Sequence, residues 1–196
     1  MKKAETKNTN KMKGLIEEVE IPSGIHTEIK GEELTLSKDS KKIVRRMLGV
    51  NLEKKDNTTG GANKIIISTT RNGKNQRKMV KTYAAHIKNM TLGLTSDFSY
   101  KLKICTVHFP MTVTVDKNSN ELVIKNFLGE KKERRAKILV NVDVQVKGDE
   151  IIVKSFDVEN AGQTAANFET VTKINYRDRR VFQDGIFLTE RKGEKI

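Results

Sequence analysis

The residue types that most often carry catalysis or bind metals are sparse in this chain. The three histidines, His26, His86 and His108, lie far apart, and none belongs to a Glu-x-x-His or His-x-x-x-His motif. The single cysteine, Cys105, alternates within the segment Leu102–Val107, which predicts a half-buried strand position rather than an exposed nucleophile. We therefore expect the histidines to be surface or packing residues, and we predict no enzyme activity, metal site or cofactor.

Carboxylates offer one further route to catalysis, since a hydrolase or nuclease could use dispersed acids such as Asp157, Glu159 and Asp184. A nuclease needs clustered acids to hold a divalent metal. Here the acids are interleaved with Lys and Arg, a pattern typical of salt bridges. The sequence also contains no phosphate-binding loop motif and no Gly-x-Ser-x-Gly motif, so it disfavours a hydrolase.

Basic side chains are the most abundant ionisable residues in the chain. Lys and Arg number 38 against 25 Asp and Glu, which gives a net charge of +13 and a pI near 9.7. Both halves of the chain are basic. This balance is expected of a protein that binds phosphates, so nucleic acid is the predicted partner. Aromatic residues make up only 5% of the chain, which argues against a stacking surface for single-stranded RNA.

The densest basic cluster follows Gly129 directly and consists of Lys131, Lys132, Arg134, Arg135 and Lys137. We expect a hairpin loop there, because a loop would let several long cations reach phosphates together. The alternative interpretation is a solvated loop without a ligand.

A second cluster consists of Lys173, Arg177, Arg179 and Arg180. The planar guanidinium of arginine suits phosphate contacts. Asp178 and Asp184 leave an alternative open, because they could pair with these cations in an internal network.

Four basic residues of the first half are further candidate RNA contacts: Arg71, Lys74, Arg77 and Lys78. They surround the turn Asn72-Gly73 and the start of a predicted helix. A charged solvent face is the alternative for these cations. Gly60-Gly61 could likewise lie against a nucleic-acid backbone or serve as an ordinary turn.

The two prolines mark an internal repeat. Pro22 and Pro110 are 88 residues apart, and each follows an apolar residue and precedes a short alternating strand and a turn. A Glu-Leu pair then opens another strand in both places, at Glu33 and at Glu121. The repeat predicts two copies of one small unit.

Each copy continues with strands and ends in one helix. In the first, Lys64–Thr70 is a predicted strand, and Gln76–Leu94 has the apolar spacing of a helix. In the second, two strands are predicted within Ile138–Lys154, and Asp157 is a predicted N-cap of the second helix. The stretch from Lys38 to Gly60 resists assignment.

The predicted fold class is therefore α+β, with two tandem similar domains, each an antiparallel sheet covered by one helix. Residues 1–13 form a predicted flexible basic extension, 14–98 the first domain, 99–190 the second and main RNA-binding domain, and 191–196 a tail. No apolar run approaches the roughly 20 residues of a membrane helix, and the polar start does not resemble a secretory signal.

Several segments resemble one family. Asn126–Lys132, Asp157–Ala166 and Arg180–Phe187 are similar to the archaeal and eukaryotic branch of the ribosomal protein L6 family, called L9 in eukaryotes. His108–Pro110 and Arg77–Val80 resemble it too. The resemblance covers nearly the whole chain.

The C-terminal ending is its most specific part, and the matching residues there are Arg177, Arg180, Phe182, Asp184, Gly185, Ile186, Phe187, Leu188 and Arg191. Thr170 departs from the family pattern, which has a glutamine at this position. The segment Ser37–Leu52 also departs, since the family has a Gly-Pro-x-Gly loop where this chain has Lys38–Lys42.

The resemblance implies two similar domains and a structural constituent of the large ribosomal subunit that supports translation. It implies contact with rRNA near the sarcin–ricin region and the stalk base, chiefly through the second domain, with stalk-base proteins as neighbours. Arg191 and Lys192 join the predicted RNA contacts on this basis. The implied location is the cytoplasmic ribosome, with nucleolar assembly in a eukaryote. An RNA-binding regulator that acts off the ribosome is the alternative function.

Overall fold

The computed structural model of the chain describes residues 15–55 and 63–196. Within these ranges it is an α+β protein of antiparallel sheets and two α-helices, which confirms the predicted fold class. The chain divides into two compact units, with the boundary between Thr91 and Leu92. The predicted extension and Gly60-Gly61 lie outside the described residues. The predicted domain bounds stay predictions.

The first unit contains, in chain order, β1 (Ile16–Ile21), β2 (His26–Lys30), β3 (Glu33–Lys38), β4 (Lys41–Arg46), β5 (Asn51–Lys55), β6 (Asn63–Ser68) and helix α1 (Lys74–Thr95). The last residues of α1, from Leu92, belong to the second unit. The strands form two three-stranded antiparallel sheets, in the orders β1-β6-β5 and β2-β3-β4. Alternate apolar residues fill the core, such as Leu34 and Leu36 of β3 and Ile65 and Ile67 of β6, because successive strand residues face opposite sides.

The unassigned stretch from Lys38 to Gly60 proves to hold β4 and β5 in its described part. Ile43 and Met47 are buried, whereas Val44 is exposed. Asp39 adopts a left-handed φ of 52° in the turn between β3 and β4. The strand pattern was hard to see because β4 has only two apolar residues, and one of them faces solvent.

The second unit contains β7 (Phe98–Cys105), β8 (Thr112–Asp116), β9 (Glu121–Lys125), a 3-10 turn (Phe127–Gly129), β10 (Arg134–Lys137), β11 (Asp143–Lys147), β12 (Glu150–Ser155), helix α2 (Val158–Val171), β13 (Gly185–Arg191) and β14 (Glu194–Lys195). Its sheets have the orders β10-β9-β8 and β11-β12-β7-β13-β14. Cys105 ends β7 in a half-buried position, as predicted.

The strand orders confirm the internal repeat. The order β1-β6-β5 of the first unit corresponds to β7-β12-β11 of the second, and β2-β3-β4 corresponds to β8-β9-β10. β3 and β9 begin at Glu33 and Glu121, 88 residues apart, which is also the spacing of the two prolines. Two similar units are therefore present, each with a helix after its sixth strand.

The second unit extends beyond its helix, whereas the sequence predicted that each copy ends in one. β13 pairs with the free side of β7, and β14 pairs with β13 in a terminal hairpin. The residues predicted as a tail, 191–196, therefore include β14.

Helix α2 begins as predicted. The Asp157 carboxylate accepts a hydrogen bond from the backbone N–H of Glu159 at 2.9 Å, which satisfies a donor that the first helical turn leaves open. Ala161, Ala165 and Phe168 form the buried face. In helix α1, Gly93 is required, because a side chain there would overlap the carbonyl oxygen of Phe156.

Both strands predicted within Ile138–Lys154 are present, as β11 and β12, but the predicted start of the first was wrong. The alternating valines predicted a strand from Ile138, whereas Val140 and Asn141 form a turn and β11 begins only at Asp143. Asn141 has a left-handed φ of 61°, and its carbonyl oxygen accepts a hydrogen bond from the Ser155 hydroxyl at 2.7 Å. Side chains from elsewhere in the unit thus stabilise the turn.

Neither described helix is long and apolar enough to span a membrane.

Candidate RNA interface

A buried carboxylate fixes the loop that carries the second basic cluster. Asp184, only 2% exposed, lies just before β13. One of its oxygens accepts hydrogen bonds from the backbone N–H groups of Val107 at 2.7 Å and His108 at 3.0 Å, and the other accepts from Nδ1 of His108 at 2.6 Å. Burial by itself raises the pKa of Asp184, but these hydrogen bonds together lower it below its usual value. The carboxylate therefore ties the loop to the segment after β7.

Aromatic stacking adds to this link. The rings of His108 and Phe182 are stacked with their centroids 4.9 Å apart, and the guanidinium carbon of Arg177 lies 4.8 Å from the centroid of Phe182. Such contacts are individually modest. Together they link Arg177 and Phe182 to His108, in the segment after β7.

Arg134 joins the first basic cluster to the end of helix α2. Its guanidinium donates to the carbonyl oxygen of Val171 at 2.7 Å and to both carboxylate oxygens of Glu130, and it lies 4.2 Å from the ring centroid of buried Phe127. Its side chain is 27% exposed. The predicted RNA contact at Arg134 remains untested, but its observed partners are internal ones.

Glu130 shows that the two clusters are neighbours. The hydrogen bond from Arg134 lowers the pKa of Glu130, and the charges of Arg134 and Arg177 act in the same direction against an opposing effect of burial. Arg177 belongs to the second cluster, and its charge acts on the carboxylate that pairs with Arg134 of the first, while Arg134 itself donates to Val171, two residues before Lys173 of the second. The two clusters, which are some 40 positions apart in the chain, therefore meet in space.

We call the exposed cations of this region the basic surface: Lys131, Lys132, Lys173, Arg177, Arg179 and Arg180. Lys131 and Lys132 lie in the bend before β10, as the predicted hairpin loop requires, whereas Arg134, Arg135 and Lys137 lie on β10 itself. Arg135 is exposed and has long ion pairs with Glu121 at 3.4 Å and Glu133 at 3.3 Å.

The alternative of an internal ion pair is realised at one position. Arg180 pairs with Asp178 through Nη2 at 2.9 Å, and hydrogen bonds from its side chain and backbone lower the pKa of Asp178. The Arg180 side chain is 90% exposed, so this pair contributes little to stability and can give way to a phosphate. Asp184 pairs with His108 instead of with an arginine.

The remaining predicted contacts lie elsewhere. Arg191 and Lys192 are exposed at the β13–β14 hairpin, and Lys192 lies 5.7 Å from the ring centroid of Phe98. Arg71, Lys74, Arg77 and Lys78 are exposed around the start of α1 in the first unit, where Arg77 donates to the Asn72 side chain at 3.0 Å.

The described residues contain no cluster of three or more His, Cys, Asp or Glu side chains that could hold a metal ion. Asp157 caps a helix and Asp184 holds a loop, so these acids have structural partners. Sequence reasoning missed the link between His108, Phe182 and Asp184. The available signal was that Phe182 and Asp184 belong to the ending that resembles the L6 family and that His108–Pro110 resembles it too.

The duplicated fold and the convergent basic surface define a class: an α+β protein with a surface suited to a polyanion. Residues 109–185 match the family model described as "Ribosomal protein L6". The chain is 42% identical to "Large ribosomal subunit protein uL6" of Methanococcus vannielii over 92% of its length and 96% of the relative. It is 41% identical to the protein of the same name from Sulfurisphaera tokodaii, over 91% of its length and 93% of the relative. The chain belongs to the ribosomal protein L6 family, as the resemblance indicated.

Proposed function

We propose that this chain is a structural constituent of the large ribosomal subunit that docks on folded rRNA and has no catalytic role. Its relatives are named as large-subunit proteins, and its charge and basic surface suit contacts with phosphates and 2′-hydroxyls. The proposal extends to a position near the sarcin–ricin region and stalk base, with the neighbouring ribosomal proteins as partners. It also includes residence on cytoplasmic ribosomes, with nucleolar assembly in a eukaryote.

The observation that carries the proposal is the convergence of the two basic clusters through Arg134 and Glu130. Affinity for folded RNA grows with the number of cations that engage phosphates at once, because each one releases condensed counterions. Cations held on one surface can do this together. The link between β10 and the end of α2 provides that arrangement, and we therefore place the principal rRNA contact in the second unit.

The test compares two variants that lose equal charge. One replaces Lys131, Lys132, Arg177, Arg179 and Arg180 by glutamine; the other does the same to the extension residues Lys2, Lys3, Lys7, Lys11 and Lys13. Arg134 is kept, because its loss would release the end of α2. We expect the first variant to lose incorporation into large subunits, measured by sucrose-gradient sedimentation, and the second to lose only part of it.

The same gradient separates the proposal from an off-ribosome regulator. A structural constituent stays with large subunits when the gradient contains high salt, whereas a regulator sediments with light fractions. If the extension variant lost incorporation and the surface variant kept it, the site assignment would be wrong. Wild-type protein that never sedimented with large subunits would overturn the function itself.

A further inference from the structure

A cavity of about 300 Å³ lies within the second unit, where the C-terminal end of α2 meets the loop that leads to β13. Ile174, Phe182 and Phe187 supply an apolar and aromatic lining, and Lys173 and Arg179 of the basic surface supply cations. Its volume is within the range of about 300–1,000 Å³ that small-molecule sites occupy. Aromatic side chains beside cations suit a nucleotide, which combines a planar base with an anionic phosphate.

The two cations are available to a ligand. Lys173 and Arg179 are exposed, and neither forms an ion pair with any residue in 15–55 or 63–196. Arg180, by contrast, is paired with Asp178. A phosphate at the mouth of the cavity would therefore meet two cations without displacing a carboxylate.

Two carboxylates in the lining decide which part of the ligand enters. Asp184 already accepts three hydrogen bonds from Val107 and His108, so its oxygens are occupied. Glu169 is exposed, and its carboxylate can accept further hydrogen bonds. A bare phosphate inside the cavity would be repelled by both acids, whereas the amino group of a base is a donor that a carboxylate binds. The base is the part that fits inside, with its phosphate at the mouth.

We propose that this cavity holds one unpaired nucleotide of the RNA that the basic surface binds. Its base lies against Phe187 and the edge of the Phe182 ring, whose faces are covered by His108 and Arg177, and its phosphate lies on Lys173 and Arg179. The inference rests on the proposed function, which supplies the RNA. A base paired within a duplex cannot enter, so the nucleotide comes from a loop, bulge or end of folded RNA. The low aromatic content of the chain argued against an extended stacking surface; a single site needs only these two rings.

Guanine is the expected base. It presents two adjacent donors, the N1–H and the 2-amino group, to a carboxylate such as that of Glu169, and it can bind both carboxylate oxygens at once. Adenine and cytosine present one amino group on that edge. Uracil presents a single N–H between two carbonyl acceptors, which a carboxylate repels, so it is expected to bind most weakly.

The experiment is an NMR titration of the full chain, labelled on backbone amides and aromatic rings, with each of the four nucleoside 5′-monophosphates. Inorganic phosphate serves as the comparison probe. We expect nucleotides to shift the signals of Thr170, Lys173, Arg179 and both phenylalanine rings, with GMP binding most tightly and UMP least. Inorganic phosphate should bind at least about fivefold more weakly than GMP and leave the ring signals unchanged.

Two variants and a matched control test the assigned roles. Arg179→Ala should weaken binding of all four nucleotides by about fivefold or more, because it removes a phosphate contact. Glu169→Gln should reduce the preference for GMP over UMP by about fivefold, because it replaces a pure acceptor by a mixed donor and acceptor. Arg46→Ala removes the same charge as Arg179→Ala from an exposed position on β4, outside the cavity lining and outside the predicted RNA contacts, and should leave nucleotide binding unchanged.

Three results would overturn the inference. Inorganic phosphate could reproduce the shifts with equal affinity, which would mean an anion site only. The ring signals could stay unmoved, or Arg46→Ala could weaken binding as much as Arg179→Ala. Binding of a large-subunit rRNA fragment is measured on the same samples. If the fragment binds and the nucleotides do not enter, this inference alone fails; if the fragment does not bind either, the proposed function fails with it.

Discussion

Replacing Asp184 by alanine should strongly destabilise the second unit. The carboxylate accepts two backbone hydrogen bonds and one from the His108 ring, all between 2.6 and 3.0 Å. Alanine leaves the N–H groups of Val107 and His108 without this acceptor, and each such loss costs about 1–3 kcal/mol. We expect a loss of about 3–5 kcal/mol, which is a large part of the stability of a domain this size.

Urea denaturation of the full chain, followed by circular dichroism, measures this loss. With an m-value of about 2 kcal/mol/M, the midpoint of the transition that reports the second unit should fall by about 2 M. His108→Ala is the control, because it removes the ring contact but keeps both backbone hydrogen bonds. It should cost about 1–2 kcal/mol. A loss below about 1 kcal/mol for Asp184→Ala would refute the view that this carboxylate secures the loop.

The lowered pKa of Asp184 adds a pH dependence with a definite sign. Because the folded-state pKa lies below the usual value of 3.8, the unfolded state binds more protons in the interval between the two. The stabilisation is therefore fully present above about pH 5 and is lost as the pH falls through the folded-state value. The stability difference between wild type and Asp184→Asn should shrink below about pH 4 in the same urea assay. A difference that grows on acidification would contradict the assigned direction.

Four further outcomes are expected. Arg134→Ala should destabilise the chain by about 2–3 kcal/mol in urea denaturation. Arg135→Ala loses only exposed ion pairs and should change stability by less than about 0.5 kcal/mol. Equal effects would contradict the view that Arg134 stabilises the fold through its bonds to Val171 and Glu130. Gly93→Ala should destabilise the chain by about 1–3 kcal/mol in the same assay, because the new methyl group would overlap the Phe156 carbonyl oxygen. This loss is expected even though alanine is the better helix former. A gain in stability would show that the helix can shift to make room. The affinity for an rRNA fragment should fall steeply with salt, and the surface variant, which loses five cations, should reduce the slope of log affinity against log salt by about 3.5–4.5. A wild-type slope near zero would contradict docking on phosphates. Limited proteolysis of the free protein should leave protected fragments of about 85–100 residues, and cleavage scattered through both halves would count against two separate folding units.

The sequence determined the features that depend on neighbouring residues. Alternating apolar residues specified the buried faces of strands such as β3 and β6, and the apolar spacing within Gln76–Leu94 specified helix α1 within two residues at its start and one at its end. Asp157 was identified as an N-cap because capping needs only the backbone of the next turn. The paired prolines revealed the duplication. The excess of cations indicated the kind of partner, since net charge is a sum that folding does not alter.

Tertiary structure decided the features that depend on residues far apart in the chain. The valines before Asp143 have the period of a strand, but hydrogen bonds from Ser155 and Asn160 hold Val140 and Asn141 in a turn. Such partners override a local pattern, and their position cannot be read from the pattern itself.

The candidate site divides in the same way. Its residue types and both clusters could be read from the chain, whereas their convergence could not. In the sequence Arg134 resembled the other exposed cations, but in the structure it donates a hydrogen bond to the carbonyl oxygen of Val171, 37 positions away. Asp184 looked like a partner for the arginines beside it and instead holds His108, 76 positions away. A buried polar group takes whichever partner the packed chain brings within hydrogen-bonding distance, and only the tertiary structure determines which one that is.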